Sequence, residues 1–287
     1  MEKKKINIKE KESPVLSFLY KTVPGRAVLK AVTARWVSTA VGKFLSTPLS
    51  KPLIKGFVNK NGIDLSEFES DGFTCFNDCF CRRIKEGRRP GSMDGNTLVS
   101  PCDGLLSAYR ITPDITLNIK GSLYRIRDLV DRAEIAEKYA GGTCLVFRLC
   151  VNHYHRYIYV DNGSKGENVF IKGKLHTVRP IALETLPVFI RNCREYTVMN
   201  TENFGDVTQI EVGALLVGKI ANHHGAYKFR RGEEKGTFLY GGSTIILLLG
   251  KDAVSVEEKY FTATENGEET DVRMGQSIGS KPVGHGE

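Results

Sequence analysis

Gly241-Gly242-Ser243-Thr244-Ile245-Ile246-Leu247-Leu248-Leu249 sets a glycine pair and two hydroxyls directly before an unbroken apolar run. The run is too short for a helix of ordinary length and reads as a strand. Neither glycine carries a Cβ, so the backbone there can be approached closely. The Ser243 hydroxyl follows the Gly242 carbonyl, which it can attack. A glycine pair before a strand is most often only a turn, so the rest of the chain has to decide.

Outward from that run the pattern stays strand-like. Short apolar segments at 97–100, 105–111, 144–151, 157–160, 168–171, 195–198, 208–212, 215–220 and 237–249 are separated by turn signals. Asp103-Gly104, Asn162-Gly163 and Asn266-Gly267 read as hairpin turns. One helical interruption is expected at 126–139 and a helical patch at about 65–85. Before these, from Pro14 to about Lys60, Leu29, Val32, Trp36, Ala40 and Phe44 recur at the spacing of one helix face. Pro48 and Pro52 end that pattern. The fold class is α+β: amphipathic N-terminal helices, then a mainly antiparallel β domain.

Charge is as uneven as structure. The net charge is +8, and residues 1–60 hold 13 Lys/Arg against 3 Glu. The positive charge is therefore an N-terminal property. A basic amphipathic helix with a Trp suits a membrane interface, and each cation near an anionic surface adds about 1 kcal/mol. The same helix can instead pack on the core with its basic face solvated. A nucleic-acid partner is disfavoured, because no reader motif accompanies the charge. No apolar run approaches the roughly 20 residues of a membrane span. No apolar leader follows Met1, and the seven cysteines are odd in number, so a reducing cytosolic setting is expected. Cys75, Cys79 and Cys81 lack zinc-ribbon spacing; no metal site is expected.

Three places carry further chemistry. Ser100-Pro101-Cys102-Asp103-Gly104 puts a carboxylate at a turn. Asn152-His153-Tyr154-His155-Arg156 puts two histidines at a strand end. Leu175-His176-Thr177 adds a third. With Ser243 they allow an Asp, a His and a Ser to act together, the His taking the hydroxyl proton and the Asp holding the imidazole tautomer. The Gly-x-Ser-x-Gly elbow of many hydrolases is absent around Ser243.

Gly241–Thr244, Tyr154-His155-Arg156, Ser100–Gly104, Arg230-Arg231-Gly232-Glu233-Glu234-Lys235-Gly236 and Glu211-Val212-Gly213-Ala214-Leu215-Leu216-Val217-Gly218 together resemble the phosphatidylserine decarboxylase proenzymes, in their bacterial branch with a Gly-Gly-Ser-Thr motif. The resemblance runs from about residue 14 to the C-terminus. It implies cleavage between Gly242 and Ser243 by the chain itself, giving a β chain of 1–242 and an α chain of 243–287 that stay together. It implies that Ser243 becomes a pyruvoyl group, which forms a Schiff base with phosphatidylserine and yields phosphatidylethanolamine and CO₂. His155 is then the base, Asp103 its orienter and His176 an accessory. Residues 1–62 become membrane-association helices and 63–287 the decarboxylase domain. The expected location is peripheral, on an anionic membrane at the cytoplasmic face of the cell membrane, with room for a homodimer. Two departures stand out: Ile158 occupies the place of a second His common in the family, and Arg179 that of an Asn. A non-catalytic lipid-binding homologue is the alternative that Ile158 favours, and a Ser-dependent acyl hydrolase is a further one.

Overall fold

In the computed structural model, which describes residues 14–89, 94–112, 114, 116–119, 122–214, 219–239, 241 and 243–282, the run after Ser243 is a strand buried along its whole length, Ser243–Leu249. It is β8 here, and seven other strands make up its surroundings: β1 (Gly104–Arg110), β2 (Thr143–Leu149), β3 (Arg156–Ile158), β4 (Arg194–Thr201), β5 (Gly205–Val212), β6 (Lys219–Asn222) and β7 (Glu234–Leu239). The large sheet is antiparallel. Its order is Tyr227–Phe229, Gly163–Lys165, β4, β5, β8, β2, β1, Thr270–Val272, with Val169–Ile171 also on β4. A small sheet, β6-β7-β3, lies beside it.

β8 is central because both of its faces are apolar. Successive side chains of a strand point to opposite sides. Ile246 and Leu248 join Val146 and Ile210 in one core, and Ile245, Leu247 and Leu249 join Phe147 and Val207 in the other. The first core is covered by helical segments, including Ile126–Val130 and Pro180–Thr185. The second also takes in Tyr157 and Phe238 of the small sheet. The α+β class therefore holds, with helices first and antiparallel strands after.

Several local expectations change. The segment 237–249 is two strands, β7 and β8, in different sheets. Asp103-Gly104 and Asn162-Gly163 each join strands of different sheets, so neither is a hairpin turn. Asn266-Gly267 closes the helix Glu258–Glu265: Gly267 has φ 76°, and Glu268 N bonds back to Ala263 O. Asn-Gly serves a helix end as well as a hairpin, since both need a left-handed residue. The expected interruption at 126–139 is three short turns, broken at Asp131 with φ 54°. The patch at 65–85 contains one five-residue helix, flanked by the paired strands Phe68–Glu69 and Arg83–Ile84. Residues 215–218, expected as strand, lie outside the described residues.

The N-terminal segment forms α1 (Pro14–Lys21), α2 (Val23–Val32), α3 (Arg35–Leu45) and α4 (Leu53–Asn61), and α5 (Phe76–Phe80) follows. The single stripe expected from Leu29 to Phe44 is broken. Thr33 caps α2, its hydroxyl bonding back to Leu29 O at 2.8 Å, and Ala34 is extended. The break rotates the stripe. Leu29 is buried, whereas Trp36 is 72% exposed and Phe44 47%. α3 turns Leu45 inward instead, against Phe76 and Phe80.

The segment is not a detached arm. Leu19, Tyr20 and Leu29 belong to the main core. Asn77 on α5 reaches Ser46 Oγ at 2.8 Å, and Phe76 N reaches Ser50 Oγ at 2.9 Å. Among the described residues no helix is long and apolar enough to cross a membrane.

Candidate active site

β8 begins at Ser243, paired with Leu149, the last residue of β2. The chain leaves β2, turns through Cys150–Tyr154 and enters β3 just after His155. β3 in turn runs beside β7, with Arg156 opposite Thr237. The His155 carbonyl accepts from Phe238 N at 2.9 Å and from Thr237 Oγ1 at 3.2 Å. β7 ends at Leu239, four residues before Ser243. Gly241, between them, has φ 123°, a conformation open to glycine and strained for other residues. Topology thus brings His155 and the start of β8 to one place. Gly242, named from sequence as the acyl side of a scissile bond, lies outside the described residues.

His155 is fully buried, and its ring packs on Phe80 with centroids 4.2 Å apart. Nδ1 lies 2.9 Å from the His153 carbonyl. A carbonyl only accepts, so Nδ1 carries the proton and Nε2 the lone pair. Nε2 has no hydrogen-bond partner among the described residues, and neither do the buried Ser243 Oγ and Thr244 Oγ1. Buried polar atoms are ordinarily paired. Three orphans at the head of one strand and on the neighbouring histidine mark a place kept polar at a cost in stability.

Burial pushes the His155 pKa down to about 3, against the opposing pull of the His153 and Gly241 backbones. The imidazole is therefore a neutral base throughout the neutral range.

Asp103 and His155 have different partners. The Asp103 carboxylate takes Arg89 Nη2 at 3.2 Å and the Met274 amide at 2.8 Å. The orienting hydrogen bond expected from Asp103 is made by the His153 carbonyl instead. Arg89 also binds Glu67 at 2.8 Å, which Arg273 approaches at 3.4 Å. This ionic chain braces the Ser100–Gly104 turn, where Pro101 O accepts from Ile158 N at 2.9 Å. A cavity of about 270 Å³ opens beside it, lined by Arg82, Asp103, His153 and Asp271 among others. Arg82, missed by sequence reading, sets the histidine segment: its Nη2 reaches Asn152 O at 3.0 Å and His153 O at 3.4 Å. Arg156 answers with Nε to Cys81 O at 2.9 Å.

His176 has other neighbours. Its Nδ1 lies 3.4 Å from Tyr20 Oη on α1, and its backbone is clamped by Asn192, which also holds Gly213 O at 2.8 Å. Gly213 follows Val212, the β5 partner of Thr244. The histidine therefore connects α1 to the strand end beside the hydroxyl pair. Burial lowers its pKa to about 4. All seven cysteines are free thiols, and five of them are buried.

These two histidines give a pH prediction. Each folded-state pKa lies below the unfolded value of about 6.5. Below pH 6.5 the unfolded chain takes up protons that the folded chain refuses, so stability falls as pH drops. His155 alone contributes a slope of up to about 1.4 kcal/mol per pH unit. Melting temperature should decline from pH 6.5 to 5, above the range where carboxylates titrate. A flat or rising profile there would contradict buried neutral histidines.

The phosphatidylserine decarboxylase family model matches residues 76–280, starting at α5. Phosphatidylserine decarboxylase proenzyme 2 of Clostridium acetobutylicum is 43% identical over 272 residues, covering 94% of this chain and 93% of the relative. The phosphatidylserine decarboxylase proenzyme of Clostridium botulinum is 39% identical over 272 residues, covering 93% and 92%. That of Ruminiclostridium cellulolyticum is 40% identical over 272 residues, covering 93% and 91%. With the match spanning most of the chain, from the α5 strut through the histidine segment and β8, this protein belongs to the phosphatidylserine decarboxylase family.

Proposed function

We propose that the chain cleaves itself at Gly242–Ser243, converts Ser243 into a pyruvoyl group, and then decarboxylates phosphatidylserine to phosphatidylethanolamine. The observation that carries this reading is the pair of buried, unpartnered atoms, Ser243 Oγ and His155 Nε2. His155 Nε2 takes the Ser243 hydroxyl proton while Oγ attacks the Gly242 carbonyl carbon. The Gly242–Ser243 amide bond breaks, its nitrogen receives the proton from the imidazolium, and an ester remains. Loss of the Ser243 α-proton then expels the Gly242 carboxylate and leaves dehydroalanine. Water replaces its nitrogen, which departs as ammonia.

The orphaned hydroxyl at the head of a buried strand fits such a group: its origin is the chain itself, and β8 anchors it. When formed, the pyruvoyl ketone supplies an electron sink for the pair left behind as CO₂ departs. His155 Nε2, unprotonated at rest, takes the proton that the lipid's ammonium group gives up and returns it to the substrate carbon. Its burial keeps water from competing for that proton. With Ile158 packed in the β3 strand, His155 serves both steps. Asp103 is a positioning residue acting through Arg89 and the Ser100–Gly104 turn, and His176 is an accessory that ties α1 to the β5 end.

The N-terminal helices deliver the lipid. Among the described residues, eight of the nine large exposed hydrophobics fall between Val15 and Leu53. Eight Lys/Arg and no Asp or Glu lie between Pro14 and Lys60. Apolar side chains facing out among cations suit an anionic bilayer surface, and a peripheral location follows. Trp36 is the one tryptophan, so its fluorescence reports docking. Emission should shift to the blue on vesicles containing phosphatidylserine, and Phe44→Asp with Leu49→Asp should weaken that binding about 10²-fold, two exposed side chains that enter the lipid contributing about 1.5 kcal/mol each. Unchanged emission with bound vesicles would remove these helices from the membrane face. The reading as a whole is tested by denaturing electrophoresis of the purified chain with a CO₂-release assay. Two fragments with activity are expected; an active single chain would overturn it.

A further inference from the structure

A buried ion pair bridges the large and small sheets. Lys235 on β7 and Glu211 on β5 have fully buried side chains, with Nζ and Oε1 2.7 Å apart. Asn222 on β6 completes the joint. Its Oδ1 accepts from Lys235 Nζ at 2.8 Å and from Tyr157 Oη at 3.2 Å. Its Nδ2 donates to Glu195 Oε1 at 2.8 Å and Glu211 Oε2 at 3.3 Å. Gln209 adds a bond to Glu211 at 3.0 Å. Burying two charges costs more than an apolar pair of the same volume would, so stability alone gives a poor account of this arrangement.

Its position gives a better one. Glu211 sits opposite Ile245 in the register of β5 and β8. Ile245 and Ser243 are two apart on β8, so Glu211 shares the face of the sheet that Ser243 occupies. Lys235 lies at the irregularity between Glu234 and Gly236 where β7 bulges against β3, and a bulge re-aims a side chain. Two and three residues further on, Thr237 and Phe238 hold the His155 carbonyl. Close packing fixes the same spot: a Cβ on Gly236 would stand 2.6 Å from Tyr157 Oη and from Ala221 O. One sheet carries the base, the other the nucleophile, and the ion pair is a direct bond between them.

We propose that Lys235 and Glu211 are positioning residues for self-cleavage, setting the distance from His155 Nε2 to Ser243 Oγ. The inference rests on the self-cleavage reading above. It also gives the pair a second duty: after the cut, it holds β7, which leads to the new C-terminus, against the sheet that contains the new N-terminus.

The test separates positioning from folding. Lys235→Met leaves Glu211 buried without its partner and should lower both melting temperature and cleavage rate. Glu211→Leu with Lys235→Met removes both charges and should restore the melting temperature. Cleavage of freshly made chain, followed by electrophoresis, should remain slower than wild type by about 10²-fold, the scale of a misplacement near 1 Å. Lys235→Arg keeps the charge but alters the spacing, and should slow cleavage with a cooperative melt near that of wild type. A folded double variant that cleaves within about twofold of wild type would overturn the positioning role. If the double variant fails to fold, Lys235→Arg decides: cleavage at the wild-type rate overturns the proposal, and slowed cleavage supports it. Failure of the wild-type chain to cleave would instead overturn the reading on which the proposal rests.

Discussion

A Ser243→Ala chain should remain whole, release no CO₂ from phosphatidylserine, and be no less stable than the wild type. All three outcomes follow from one atom. Ser243 Oγ is buried and lacks a hydrogen-bond partner among the described residues, so deleting it removes an unsatisfied group rather than a bond. The strand itself is untouched, because β8 is held by its ladders to β5 and β2 and by Ile245–Leu249 in the two cores. Function should disappear entirely, since in the proposed mechanism the hydroxyl is both the attacking group and the precursor of the ketone. Electrophoresis, a thermal melt and a CO₂ assay on one preparation give the answer. Cleavage in this variant would remove Ser243 from the mechanism. A melting temperature many degrees lower would show that the hydroxyl has a structural partner.

His155→Ala should slow cleavage by about 10²–10⁴-fold, the usual worth of a positioned base. It should also slow decarboxylation in whatever fraction does mature, because the proposed mechanism assigns both steps to His155, Ile158 standing where a second histidine is common in the family. Here stability does change: the ring packs on Phe80 at 4.2 Å, and its loss opens a cavity between α5 and β7. His155→Gln keeps more of that volume without a neutral base of the same strength, so it separates the two effects. The expected order of cleavage is wild type far above both variants, with Gln melting higher than Ala. Cleavage of either variant within a few-fold of wild type would pass the proton to another group, and His153 and His176 are the residues to examine next.

How much of this was legible beforehand depends on what carries the signal. The run 245–249 announced a buried strand because five consecutive apolar residues have only the interior to occupy. Antiparallel class and helices-first order followed from spacing in the same way. The break at Thr33–Ala34 left no mark, since Leu29, Val32, Trp36, Ala40 and Phe44 keep helical spacing across it; a backbone cap at Thr33 decides which way each half faces. Asp103, His155, His176 and Ser243 were all named from sequence. Their partners were not. The group that fixes the His155 tautomer is a main-chain carbonyl, which every residue possesses and no sequence pattern reveals. Glu211 and Lys235 stood only inside the motifs of the family resemblance, with no role of their own, and it is the bulge in β7 and the register of β5 that turn them toward one another.

Every step of the proposed function after folding depends on a cut in this chain before Ser243. Intact-mass spectrometry of the purified protein under denaturing conditions asks that directly. The expected result is two species, residues 1–242 and residues 243–287, the smaller lacking an α-amino group and carrying a ketone in its place. A single 287-residue species of 31.9 kDa, from a preparation that releases CO₂ from phosphatidylserine, would contradict it.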